Sequence, residues 1–261
     1  MYPIPSDKNS SQSKCSEPDQ NVILRSLPRE ECACLREQSE TVKLEPKQSL
    51  HSLENPSEYV YFPYSGLISL LTIERDGSAV QTAMIGREGV AGSTAVLGLV
   101  ETDVQAIVQI RGQAMRVPTS YFSQCYRECP NLNTLVNRHF GLLLLQAQQY
   151  ALCNVAHSIE SRFCRLLLEA SDRVDSNVVE LTQGTCSNAL GVQRTSVSMV
   201  AHSLQLVGDI RTRRGRIEIL DRAKLESKSC GCYALIAQAS RPKRLETVHP
   251  SQKATEVLVG A

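Results

Sequence analysis

The sequence predicts an α+β chain in three parts: a strand-rich N-terminal region, one long helix, and a C-terminal helix-turn-helix with a basic hairpin. Three observations carry this. Short apolar stretches punctuated by glycine fill residues 41–117. An uninterrupted Leu-, Ala- and Gln-rich run fills residues 131–152. The segment LTQGTCSNALGVQRTSVSMVAHSLQLVGDIRTRRGRIEIL occupies residues 181–220.

Length and composition set the frame. The chain has 261 residues, 42% of them apolar, and a net charge of +1. That is enough for one or two domains with a core in each, and near-neutrality gives no global sign of a polyanionic partner. No apolar run approaches the roughly 20 residues that span a bilayer. The opening MYPIPSDKNSSQSK has no apolar export core, so a cytoplasmic location without membrane attachment is expected. Residues 1–20 lack periodicity and are expected to be a disordered arm. Residues 21–35 read as short helices, with Pro28 able to start one and Glu30 and Glu31 in its first turn.

Residues 41–117 read as strands: Tyr59–Pro63, Leu67–Ile73, Ala79–Ile85, Ala106–Ile110 and Ala114–Val117, with Gly77, Gly86, Gly89, Gly92, Gly98 and Gly112 between them. Several short strands at turn spacing argue for a sandwich or barrel. The loop GREGVAG at residues 86–92 offers backbone N–H groups to an anion. Gly89, Gly92 and Ser93 are therefore the candidate effector pocket, although the spacing fits no phosphate-loop motif.

Residues 118–130 read as a short helix and a stop. Residues 131–152 then form a helix of roughly 33 Å at about 1.5 Å per residue. Leu132, Leu135, His139, Leu142, Gln146 and Gln149 recur at alternating spacings of three and four, as in a two-helix seam. The expectation is a dimer interface; the other reading is a helix buried within one subunit. His139 reads as a packed imidazole in either case.

In residues 181–220, Thr182 can cap a first helix carrying Cys186, Ala189 and Leu190. Gly191 supplies the bend. Val197, Val200, Ala201 and Leu204 give the second helix one buried stripe. Its outward face holds Thr195, Met199 and His202, flanked by Arg194 and Ser198. No acid occurs from Arg194 to Gly208, which ends the helix. Such a face suits the major groove, where hydroxyls and an arginine meet base edges and no carboxylate repels phosphate. Ile210, Ile217 and Ile219 then flank Arg213, Arg214, Gly215 and Arg216, a hairpin with a cationic tip. Between Gly191 and Ile217 there are five Lys+Arg and one acid, a local balance of +4. The candidate DNA-binding residues are Thr182, Gln193, Arg194, Thr195, Ser196, Ser198, Met199, His202, Arg213, Arg214 and Arg216.

The ten cysteines read as reduced thiols in a chain without an export signal. Cys153, Cys164 and Cys186 fall on apolar helical faces as small core residues. Cys32-Ala33-Cys34 and Cys230-Gly231-Cys232 are Cys-x-Cys pairs, whereas zinc and iron–sulfur sites usually show Cys-x-x-Cys sets. No metal site is expected. His157 and Glu160 give His-x-x-Glu rather than a metalloprotease motif. No nucleophile elbow, phosphate-loop Gly-Lys-Ser/Thr or paired-carboxylate signature is present, so an enzyme is not expected.

At these residues the sequence resembles the Crp/Fnr family of bacterial transcription regulators. The resemblance runs through LTQ at 181–183, LGVQRTSV at 190–197 and RGRIEILD at 214–221. CNVAHSIESRFCRLLLEASDRV at 153–174 looks like the family's hinge and first DNA-binding helix. The resemblance covers residues from about 21 to 233. It implies a jelly-roll-like N-terminal β-roll of the cyclic-nucleotide-binding type at 21–130, a dimerisation helix at 131–152, a winged helix-turn-helix at 153–233 and a flexible tail at 234–261. It also implies a homodimer on double-stranded DNA, with the helix from Arg194 to Val207 in the major groove and RNA polymerase as a partner. Two departures matter. The family's Arg-Glu and second Arg on the recognition helix correspond here to Arg194, Thr195 and Met199, so a different operator is expected. Residues 89–109 hold no Arg and no well-placed Glu for a cyclic phosphate, and the oxygen sensors' N-terminal cysteine cluster is missing. No cofactor is expected, and the effector is open. A ligand-binding or scaffold protein whose β-roll accompanies no specific DNA binding is the alternative.

Overall fold

The structure is a computed structural model that describes residues 21–52, 57–75, 77–97 and 104–241. The expected arm at 1–20 and the expected tail beyond residue 241 lie outside the described residues.

Two short helices come first, α1 (Val22–Ser26) and α2 (Arg29–Arg36). Asn21 caps α1 and its amide donates to Pro63 O and Gly89 O, fixing the helix to the roll. The roll is built from β1 (Glu40–Leu44), β2 (Ser49–His51), β3 (Tyr59–Pro63), β4 (Leu67–Ile73), β5 (Ala79–Ile85), β6 (Val104–Ile110) and β7 (Gly112–Pro118). These pair as two antiparallel sheets, β1-β7-β3 and β2-β6-β4-β5. Leu44, Tyr61, Ile68, Ile85, Val108 and Ala114 fill the space between them. Gly112 is required at the β6–β7 turn because a Cβ there would collide with the Ser65 carbonyl.

Then follow α3 (Thr119–Glu128), the long α4 (Pro130–Ala156) and α5 (Ile159–Val174). Pro130 opens α4 where a helix needs no N–H. The expected seam on α4 is corrected by its burial. Leu132, Leu135, His139 and Gln146 are buried within this chain, and Leu142 and Gln149 are half-buried. Leu132 and Leu135 pack beneath Phe62 and Phe122. His139 lies against the 86–92 loop, its Nε2 2.9 Å from Val90 O. Gln146 accepts from Met84 N at 2.9 Å and donates to Met84 O at 3.2 Å, meeting both backbone groups of a β5 residue. His139 and Gln146 are there because the roll offers them backbone partners. The outward stripe is Gly141, Leu144, Gln148, Ala151 and Val155, which also alternates three and four; Leu144 is 60% exposed and Val155 91%.

Helix α5 joins the two halves of the chain and is buried nearly throughout. Its charges form one internal network. Arg165 pairs with Glu169 at 2.7 Å, Tyr150 donates to Glu169 at 2.7 Å, and Arg173 reaches Glu88 of the roll at 2.8 Å. Breaking a buried pair leaves an uncompensated charge, so such a network holds its members in one arrangement.

The C-terminal part comprises β8 (Val178–Val179), α6 (Gln183–Leu190), α7 (Arg194–Leu206), β9 (Ile210–Arg213), β10 (Arg216–Ile219), α8 (Arg222–Lys228) and α9 (Cys232–Ser240). β8, β10 and β9 form a small antiparallel sheet. Phe163, Leu167, Leu190, Val197, Leu204 and Ile217 make its core with α5 to α7. The expected flexible tail from residue 234 is corrected as far as residue 240. Residues 232–240 are helical, with Cys232 and Ile236 buried, and α9 packs on α4.

Candidate nucleic-acid interface

The site is built on α6, α7 and the β9–β10 hairpin. Thr182 caps α6, its hydroxyl accepting from Thr185 N at 3.0 Å. Gly191 takes φ +61°, a left-handed conformation that turns the chain between the helices. Val197, Ala201 and Leu204 pin α7 inward. Gln205 accepts from Thr212 N at 2.8 Å, fixing the hairpin to the same helix.

The opposite face of α7 is open. Arg194, Thr195, Met199 and His202 are exposed, as is Gln193 before the helix, and Met199 is 72% exposed. Ser196 is half-buried. Ser198 is turned toward α6: its hydroxyl donates to Gln183 Oε1 at 2.7 Å and to Arg194 O at 3.0 Å. That hydroxyl already has its acceptors, which suits a helix tie better than a base contact.

Charge on this surface is one-sided. Asp209, the one acid between Gly191 and Ile217, is fully buried and accepts from Lys228. The hairpin turns at Gly215, φ +75°. Arg213 and Arg214 at its tip are exposed and have no ion pair among the described residues, and the same holds for Arg194. Arg211 and Arg216 are partly neutralised, by Glu218 at 3.1 Å and Glu180 at 3.7 Å.

The expected effector pocket is corrected. Gly89, Gly92 and Ser93 are buried, and several of the loop's N–H groups are already bonded. Gly89 N donates to Gly86 O and Ala91 N to Tyr61 O, and Val90 N lies 3.3 Å from His139 Nε2. A Cβ on Gly89 would strike the His139 ring. Gly89 thus permits close packing of the loop against α4, and Gly92 permits close approach to Ser57 and Tyr59 O.

Cys164 and Cys186 are core thiols whose pKa burial pushes up to about 12. Cys153 is different. Among the described residues it forms, with His157, Cys230 and Cys232, one group of candidate metal ligands whose atoms lie within 4.8 Å of one another. Sequence spacing paired only the last two cysteines; the others come from the end of α4.

No helix among the described residues is long and apolar enough to cross a membrane. Residues 161–228 match the family of Crp-like helix-turn-helix domains. No curated protein matches the chain. Among solved structures, a Crp/Fnr-family regulator from Eubacterium rectale superposes with a TM-score of 0.64 at 15% identity, covering 80% of this chain and 98% of its own. FixK2 from Bradyrhizobium japonicum gives 0.63 at 17% identity, with 74% and 98% covered. A Crp/Fnr-family transcriptional regulator from Thermus thermophilus gives 0.61 at 22% identity, with 73% and 98% covered. The chain thus carries a Crp-like helix-turn-helix domain on the fold seen in Crp/Fnr-family regulators.

Proposed function

We propose that this chain is a sequence-specific DNA-binding transcription regulator that acts as a homodimer, with α7 in the major groove. The observation that carries this reading is the acid-free, exposed face of α7 beside an unpaired cationic hairpin tip, within a domain that matches Crp-like helix-turn-helix domains. Gln193, Arg194, Thr195, Met199 and His202 are assigned to base edges. Thr182, Arg213, Arg214 and, more weakly, Arg216 are assigned to phosphates. Ser198 ties α7 to α6 through Gln183, and Ser196 is half-buried in the first turn of α7.

The outward α4 stripe of Gly141, Leu144, Gln148, Ala151 and Val155 is assigned to the dimer, since a 3/4 apolar stripe left open on a long helix is what a parallel partner covers. A pair of such helices sets two recognition helices about 34 Å apart, one turn of duplex. In this role the protein works in the cytoplasm, with RNA polymerase reading the outcome. The Glu88–Arg173 pair couples the 86–92 loop to α5, so a change in the loop is felt by the DNA-binding half.

The test is a mobility shift on a duplex carrying the protein's own upstream region. Arg194→Ala is expected to abolish the preference for that duplex over scrambled DNA while the dimer persists by light scattering. Retained preference would overturn the assignment of α7.

A further inference from the structure

We propose that Cys153, His157, Cys230 and Cys232 hold one tetrahedral zinc ion that fastens α9 to the end of α4, beside the hinge into α5. Cys153 and His157 stand one turn apart at the C-terminus of α4, with His157 as its C-cap. Cys230 and Cys232 flank Gly231 at the start of α9. Cys153 Sγ lies 3.4 Å from Cys230 Sγ, and Cys232 Sγ lies 3.7 Å from His157 Nδ1. Zinc bonds of about 2.3 Å to sulfur and 2.0 Å to nitrogen at tetrahedral angles put ligand atoms about 3.5–3.8 Å apart. The cluster is close to that shell as it stands. Iron–sulfur clusters bind their cysteines through several irons and spread the thiolates; ligand atoms all within 4.8 Å of one another fit a single ion.

The surroundings point the same way. Cys164 and Cys186 lie among leucines and alanines of the large core, but Cys153, Cys230 and Cys232 form a buried cluster of cysteines alone. Three of the four ligands are buried and His157 is half-buried, which suits a closed structural site. Three thiolates around Zn²⁺ leave one negative charge. Arg162, 6% exposed, senses Cys153 and Cys230 and has no carboxylate partner among the described residues; its hydrogen bonds go to Asn154 Oδ1 and Leu190 O. The Nε atoms of Arg162 and Arg165 have no acceptor. A buried cation needs a counter-charge, and an anionic zinc–thiolate centre supplies it from the outer shell. On the DNA-binding reading above, the ion also fixes how the C-terminal domain sits on α4, so its removal lowers operator affinity.

The experiment uses the full chain, purified under reducing conditions. Zinc is measured by plasma mass spectrometry and Co²⁺ is titrated as a spectroscopic probe. About one ion per chain is expected, with the thiolate-to-cobalt charge-transfer and visible bands of a tetrahedral sulfur-rich site. Cys32→Ser, on α2, should keep the ion, and the double variant Cys230→Ser/Cys232→Ser should lose it. His157→Cys should retain zinc through four thiolates. His157→Ala should weaken binding by more than the roughly 10–100-fold that loss of an outer-shell partner costs. That pair decides the matter should the double variant fail to fold. The proposal falls if the reduced protein takes up neither metal, if the double variant binds as the parent does, or if a Cys153–Cys230 disulfide forms and its reduction restores no uptake. Metal content is read without DNA. Loss of DNA binding in a zinc-loaded protein would refute the DNA reading alone, and missing metal with intact DNA binding would refute the zinc site alone.

Discussion

Removing the two tip arginines, Arg213→Ala with Arg214→Ala, should change the salt dependence of DNA binding more than its sequence preference. Both side chains are exposed and lack ion pairs among the described residues, so each is free to displace counterions from a phosphate. Each phosphate contact contributes about 0.9 to the slope of log K against log salt. Two arginines on each of two hairpins make about four contacts, so the slope should flatten by about 3.6. Between about 50 and 200 mM salt the parent should then lose roughly two orders of magnitude more affinity than the variant. Arg216→Ala should flatten it less, because Glu180 lies 3.7 Å away and already neutralises part of that charge. Fluorescence anisotropy on an operator duplex and a scrambled duplex, over a salt series, measures both quantities. An unchanged slope, or a collapse of the operator-to-scrambled ratio at constant slope, would refute the assignment of these arginines to phosphates.

Three further outcomes are expected. Leu144→Arg should give monomers by light scattering with an unchanged melting curve, because Leu144 faces outward; a dimer that survives would remove the α4 stripe as the interface. His139 is fully buried, and desolvation lowers its pKa to about 4 from an ordinary 6.5. The unfolded chain therefore binds the extra proton between those values, and stability rises with pH across that window. Urea unfolding should show roughly 2–3 kcal/mol lost at this residue between about pH 7 and 4.5. His139→Gln should remove that part of the pH dependence, and an unaltered profile would contradict it. Glu169→Gln should cost about 3–5 kcal/mol in the same assay, since Arg165 and Arg173 both lose their shared carboxylate. A loss below about 1 kcal/mol would mean that the network is not the clamp between roll and helix.

What was legible in the sequence was local. The glycine at 191, the apolar spacing of Val197, Ala201 and Leu204, and the Arg-Arg-Gly-Arg tip all act within about 40 residues, and the structure forms the turn, helix and hairpin from them. The long helix was legible as a helix but not as an orientation. Both its inward and outward stripes alternate three and four, and spacing cannot tell which one the roll covers. His139 and Gln146 resembled seam polars; their partners, Val90 and Met84, are backbone groups of a distant loop and a distant strand. The pairing of Arg165, Glu169 and Arg173 had no signal in the sequence, because nothing local shows that α5 is buried along most of its length. An Arg at position 135 would therefore disrupt the roll's own core instead of separating subunits. The thiol cluster was hidden for the same reason: Cys153 and Cys230 are 77 residues apart, and each looks incomplete alone.

The most direct measurement is selection of genomic fragments by the purified, full-length protein. Enrichment of a two-fold symmetric sequence is expected, with half-site centres about 10 base pairs apart and the preference lost in Arg194→Ala. Recovery of fragments with no shared sequence, at an affinity the Arg194→Ala variant equals, would contradict the assignment of α7 to base recognition.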